Sequence, residues 1–152
     1  TSLSWKGFDL SAIFAYSIGG YIYNRDITMI LHNGSLEGRD WSTEILRRWT
    51  PENRYTDVPA LSTTSNNWNS ASTRFLQNNS YMRLKNLTLS YNLPKQLISK
   101  LALSSVQVFV QGDNLFTIHR NQGLDPEQGI TGITYYRYPA MRTISGGINL
   151  SF

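Results

Sequence analysis

Four stretches of this sequence alternate strictly between apolar and polar side chains, and that period of two constrains the fold more than any other feature. In FDLSAIFAYSI the even positions Phe8, Leu10, Ala12, Phe14, Tyr16 and Ile18 are apolar, while Asp9, Ser11 and Ser17 share the other face. In LTLSYNLP, Leu87, Leu89, Tyr91 and Leu93 alternate with Thr88, Ser90 and Asn92. In SVQVFVQGDNLFTIH, Val106, Val108, Val110, Phe116 and Ile118 oppose Gln107, Gln111, Asp113 and Thr117. In RTISGGINLSF, Ile144, Gly146, Ile148, Leu150 and Phe152 oppose Thr143, Ser145, Asn149 and Ser151. Side chains that switch face at every residue belong to strands with two unlike surfaces. The pattern predicts strands at about 8–18, 81–93, 105–119 and 141–152.

The connectors come in two sizes. WKGF is a tight turn in which Gly7 can take positive φ, so residues 1–5 finish an earlier strand. PKQLISKLALS allows one or two helical turns after Pro94, with Leu97, Ile98 and Leu101 on one face. The other connectors are long, about 19–79 and 119–140. Short and long alternate, so the short turns gather at one end of the strands and the long loops at the other. Within the first long loop, DWSTEILRRWTPE reads as a short helix capped by Asp40, carrying Trp41, Ile45 and Trp49, and ending at Pro51. STTSNNWNSAST reads as a polar tip that presents Trp68, and GLDPEQGITG as a run of turns.

Two environments produce such strands. In a β-sandwich or soluble barrel the apolar face is the core and the polar face meets water. In a transmembrane barrel the apolar face meets lipid and the polar face lines a lumen. The apolar faces here carry no charge, and each clean segment approaches the roughly 9–11 residues that cross a bilayer as a tilted strand. Aromatics sit near the strand ends: Trp5, Phe8, Tyr91 and Phe152 by the short turns, Tyr16 and Phe116 by the long loops. Charged residues are only 16% of the chain, below the roughly 25% of a typical soluble domain. These features favour the membrane barrel, with a soluble β-sandwich glycan-binding module as the alternative. Four strands and a stub cannot close a barrel, which needs at least about 8. Open edges in lipid leave costly unpaired backbone groups. The expectation is therefore a piece of a longer chain whose N-terminal part lies outside this sequence.

Site chemistry is sparse. No cysteine is present, which removes disulfides and thiolate metal sites. His32 and His119 lack partners at metal-ligand spacing, and Asp125 and Glu127 in GLDPE read as a turn rather than an acid–base pair or a calcium site. No catalytic, cofactor-binding or metal-binding residue is expected. The net charge of +4 is scattered along the chain instead of clustered beside aromatics, so nucleic acid is not an expected partner. For ligand contact the candidates are the loop aromatics Trp68, Tyr135 and Tyr136, whereas Trp41 and Trp49 are expected to pack their helix.

The blocks WKGFDLS, RRWTPENRYTDVP, SYMRLKNLTLSYNLP, VQVFVQGDNLFTIH, GLDPE and YPAMRTISGGINLSF, in this order and spacing, closely resemble the C-terminal end of SusC/RagA-type TonB-linked outer-membrane transporters. The resemblance covers essentially the whole chain. It implies an all-β fold: C-terminal antiparallel strands of a large, roughly 22-stranded transmembrane β-barrel, with short helical turns in the loops. It also implies import of oligosaccharides or peptides across the outer membrane of a Gram-negative bacterium. The partners implied are a SusD-like surface lipoprotein as lid, the TonB complex, outer-membrane lipid and the barrel assembly machinery. Plug domain and TonB box lie outside this sequence, and the loops at 19–79 and 119–140 are extracellular in the family's orientation. SGGINLSF resembles the assembly signal of outer-membrane barrels, with Ser145, Gly147, Leu150 and Phe152 as its marks, Leu150 standing where an aromatic is common.

Overall fold

The computed structural model describes residues 1–32, 34, 36, 38–62, 64, 70–99, 103–121, 125–127, 131–134 and 137–152. Its strands are β1 (Ser2–Trp5), β2 (Phe8–Ser17), β3 (Tyr21–Asn24), β4 (Leu76–Asn78), β5 (Tyr81–Asn92), β6 (Ser105–His119), β7 (Ile133–Thr134) and β8 (Thr143–Ser151). Helices α1 (Arg25–Ile30) and α2 (Lys95–Ile98) are short, as are 3-10 turns at Thr43–Arg47 and Thr73–Phe75. None of the described helices is long and apolar enough to cross a membrane. The chain divides into a sheet unit, Thr1–Gly19 with Asn79–Arg120 and Pro139–Phe152, and a loop unit, Gly20–Asn78 with Asn121–Tyr138.

The sheet unit is one antiparallel sheet in the order β1-β2-β5-β6-β8. Each of the four alternating stretches lies in one of its strands, and register keeps like faces together: Leu10 pairs with Leu89, Leu89 with Val110 and Val110 with Gly146. The β1–β2 turn holds Lys6 at φ 47° and Gly7 at φ 89°, the double positive-φ geometry of a two-residue hairpin. Gly7 is also crowded, since a Cβ there would lie 3.0 Å from the Asn92 carbonyl oxygen. Between Ile13 and Phe14 of β2, β5 inserts one extra residue, and β6 inserts another opposite Lys85. The outward residues of β5 are therefore Leu87, Leu89 and Tyr91 on one side of the bulge but Met82 and Leu84 on the other. Two insertions cancel in parity along β6, so its alternation reads unbroken. Asn114, at φ 52°, provides the local kink that bulges need.

The loop unit is built on a small sheet in which β3 runs antiparallel to β4 and parallel to β7. Ile22, Leu31, Ile45, Val58 and Phe75 form its buried core, and Tyr23 meets Phe75 edge-on with centroids 6.1 Å apart. Asn24 ends β3 and caps α1, its side chain accepting from the Ile27 amide at 3.1 Å.

Three local expectations are corrected. The helix expected from Asp40 to Pro51 is a single 3-10 segment whose cap is Ser42, with the Ser42 side chain accepting from the Glu44 amide. It stops early because Asn53 Nδ2 donates to the carbonyls of Arg47 and Arg48, at 2.9 and 3.3 Å, giving that helix end non-helical partners. Helix α2 buries Ile98, but Leu97 is exposed; Leu101 lies outside the described residues. The β3–β4–β7 sheet and α1 arise inside stretches read as loop, because strands of two to four residues are too short to show a period.

Candidate functional site

The sheet presents two surfaces of opposite chemistry, and the apolar one, apart from the buried Leu84 and Val106, is largely exposed, while the polar one is covered along the central strand β5. Leu89 is 42% exposed and Met82 39%, while on the polar face Ser90 is 8% exposed and Arg83 only 3%. Phe8, Leu10, Phe14, Val108, Val110, Phe116, Ile144, Ile148 and Leu150 are likewise exposed on the apolar side. Contiguous apolar surface of that extent signals contact with something other than water.

On the polar face, side chains bond across strands. Asp9 accepts from Ser4 Oγ and from Asn92 Nδ2, the latter at 2.7 Å. Gln107 Nε2 donates to Ser90 Oγ at 3.4 Å, and Asn149 Nδ2 donates to Gln107 Oε1 at 3.1 Å. Nearer the long loops, Asp113 accepts from Asn86 Nδ2 at 2.8 Å and from Gln111 Nε2 at 3.1 Å. Arg83 Nε donates to Thr117 Oγ1 at 2.9 Å. Neutral amides and hydroxyls predominate, and both carboxylates already hold donors. Such a wall can face water or a polar solute, and it offers no poised nucleophile.

The apolar surface carries aromatic rings near both of its ends. Trp5 pairs with Phe8, and Phe8 with Tyr91, whose rings approach to 4.5 Å between centroids. At the other end Phe14 and Leu84 align with Phe116, and Tyr16 and Met82 with Ile118.

In the loop unit, residues 49–58 form a braced loop. The Trp49 amide donates to the Val58 carbonyl at 2.8 Å, and the Asn53 amide to the Thr50 carbonyl at 3.0 Å. Arg47 bridges Glu44 at 3.3 Å and Asp57 at 3.4 Å. Arg47, Asn53, Arg54, Tyr55, Thr56 and Asp57 line an open cleft. Burial pushes the Arg74 guanidinium below its ordinary pKa, opposed by Asp57 and Glu44, which favour its charged form. Trp41 and Trp49 are both partly exposed, and Trp41 meets His32 edge-on at 5.3 Å. Asp125 accepts from the Glu127 amide at 2.9 Å, the geometry of a turn that bonds its own backbone.

Of the residues singled out by sequence, Trp68, Tyr135 and Tyr136 lie outside the described residues. In β8, Ser145 pairs with Gln111, Gly147 with Phe109 and Leu150 with Val106, while Phe152 is 92% exposed. Phe109 was not anticipated: it is an aromatic on the polar face, and a Cβ on Gly147 would lie 3.0 Å from its ring. The glycine is the space the ring occupies. The signal was available as an apolar residue out of phase in QVFVQ, opposite a strand with two adjacent glycines.

No family model matches the chain. TonB-dependent receptor P3 of Formosa agariphila is 33% identical over 99% of this chain and 15% of its own length. TonB-dependent receptor P26 of the same organism is 30% identical over 99% of this chain and 16% of its own length. Among solved structures, the RagAB peptide importer in its open-open state aligns with a TM-score of 0.86 and 35% identity. That alignment covers 98% of this chain and 16% of the importer chain. The chain belongs to the SusC/RagA-type TonB-dependent receptors. A second structure, of the RagAB peptide transporter, gives a TM-score of 0.85 at the same identity. The receptor segment thus spans about one-sixth of the length of its relatives.

Proposed function

We propose that this segment is part of the wall of a closed transmembrane β-barrel of roughly 22 strands that imports oligosaccharides or peptides into the periplasm. In this reading a plug domain elsewhere in the receptor fills the lumen, TonB supplies the energy, and a SusD-like lipoprotein forms a lid over the long loops. Trp68, Tyr135 and Tyr136 face ligand or lid. The barrel assembly machinery reads Ser145, Gly147, Leu150 and Phe152 at the end of β8.

The observation that carries the proposal is the inverted sheet: polar side chains bonded to one another on one face, apolar side chains open on the other. Phe8 and Tyr16 are roughly 26 Å apart along β2 at the usual rise. At a barrel tilt of about 40° this is about 20 Å of height, close to the roughly 25 Å apolar band of such barrels. The soluble β-sandwich reading is not favoured, because a sandwich needs a second sheet over the apolar face and that face is exposed in the sheet unit.

The test is uptake by cells carrying the full-length receptor. Labelled oligopeptides and oligosaccharides are offered with and without TonB. The expected result is accumulation of one class that stops when TonB is deleted. Recovery of the full-length protein as a water-soluble monomer would refute the wall reading. Leu150→Asp is expected to remove the receptor from the outer membrane, and normal levels of that variant would count against an assembly signal.

A further inference from the structure

We propose that the short-turn rim of the sheet is a binding site for an anionic phospholipid headgroup, with Lys6 and Lys95 on the phosphate and the Trp5–Phe8–Tyr91 row against the glycerol region. The inference rests on the reading of the sheet as a membrane wall. Lys6 stands in a hairpin turn whose two positive-φ residues fix its direction, and its Nζ lies 5.0 Å from the centroid of the exposed Trp5 ring. The Lys6 ammonium thus sits over the face of Trp5, an exposed cation–π pair that keeps positive charge beside the ring, and amphipathic rings settle at headgroup depth.

The rim continues into the neighbouring strand. The Asn92 amide donates to the Gly7 carbonyl at 2.8 Å, tying the turn to the end of β5. The chain then starts α2 at Lys95, which is exposed. Tyr91, stacked on Phe8, closes the aromatic row between the two lysines in sequence. Residues 1–8 and 91–99 contain no Asp or Glu. The nearest carboxylate in sequence, Asp9, alternates onto the polar face and is held there by Ser4 and Asn92. The rim therefore carries two exposed lysines and three aromatic rings with no acidic side chain in either turn segment, a composition that favours a lipid of net negative charge over a zwitterionic one.

The experiment uses the purified full-length receptor in detergent, with native mass spectrometry after equilibration with equal phosphatidylglycerol and phosphatidylethanolamine. Wild type is expected to retain phosphatidylglycerol preferentially. Lys6→Asn, which gives the Asn-Gly pair suited to this turn, and Lys95→Gln are each expected to weaken retention roughly five-fold. Trp5→Leu is expected to weaken it while keeping the apolar face, and millimolar inorganic phosphate is expected to leave it unchanged. Equal retention of both lipids, unchanged retention in the double lysine variant, or displacement by inorganic phosphate would each overturn the proposal. Heat-modifiable gel mobility of every variant separates the outcomes: loss of that mobility in wild type refutes the wall, whereas normal mobility without lipid preference refutes this site alone.

Discussion

In the loop unit Ile22, Val58 and Phe75 are sealed from solvent at 1% exposure or less, whereas in the sheet unit Leu89, Val110 and Ile148 stand 42–62% exposed. The same twenty side chains obey opposite placements within one chain. The loop unit is organised as a water-facing protein, with apolar atoms gathered inward. The sheet unit leaves much of its apolar side-chain surface open on one face, as the membrane-wall proposal requires. An exposed leucine is therefore informative only when the periodicity of its strand and the fate of the opposite face are known.

The contrast predicts that truncation inside the loop unit is costly. Phe75→Ala is expected to destabilise that unit by about 3–5 kcal/mol, read as faster cleavage of the 20–78 region by limited proteolysis of the full-length receptor, with barrel mobility on gels unchanged. Equal protease resistance would mean that Phe75 is not its core.

Charge on the apolar face is the complementary experiment. Val110→Arg is expected to cost about 2–4 kcal/mol in lipid vesicles, measured by reversible urea unfolding. An exposed valine on a water-facing sheet would change by no more than about 0.5 kcal/mol, so a silent variant breaks the comparison.

A third substitution sharpens the meaning of Gly147. Gly147→Ala forces a Cβ to 3.0 Å from the Phe109 ring and is expected to cost about 1–3 kcal/mol through overpacking. Adding Phe109→Ala is expected to recover part of that loss in the same unfolding assay. If the glycine acts only as a recognition mark, the second substitution recovers nothing. The smallest effect is expected at Arg47. Its ion pairs to Glu44 and Asp57 are exposed, and Arg47→Ala is expected to change the protease resistance of the loop unit by less than about 1 kcal/mol.

Much of the sheet was legible before any coordinates, because a two-residue period is a local property that runs through β2, β6 and β8 and through the second half of β5, from Leu87 on. The hairpin at Lys6–Gly7 was legible for the same reason, since positive φ is a demand on one residue. The loop unit was not. Its sheet joins Tyr21–Asn24 to partners 53 to 57 and 110 residues away, and strands that short have no period to read. Asn24 as a helix cap was visible in principle, as an Asn followed by Arg-Asp-Ile-Thr, but the cap competes with the strand that precedes it. Of the candidate site residues, those in β8 have a defined register, and their recognition by an assembly factor stands as a proposal.

The sequence by itself determined the two-faced character of the sheet, the aromatic rings near its ends, the tight turn and the family. These follow from side-chain chemistry at fixed local spacing. Only the tertiary structure decided that Lys85 is the bulged residue of β5, that β6 hides two insertions within unbroken alternation, and that Phe109 fills the place of a side chain at Gly147. Each of these depends on which residue of a neighbouring strand stands opposite. Such pairing is set by contacts distant in sequence: a strand's own spacing can show a break in phase, as at Leu84 and Leu87, but not which residues stand opposite it.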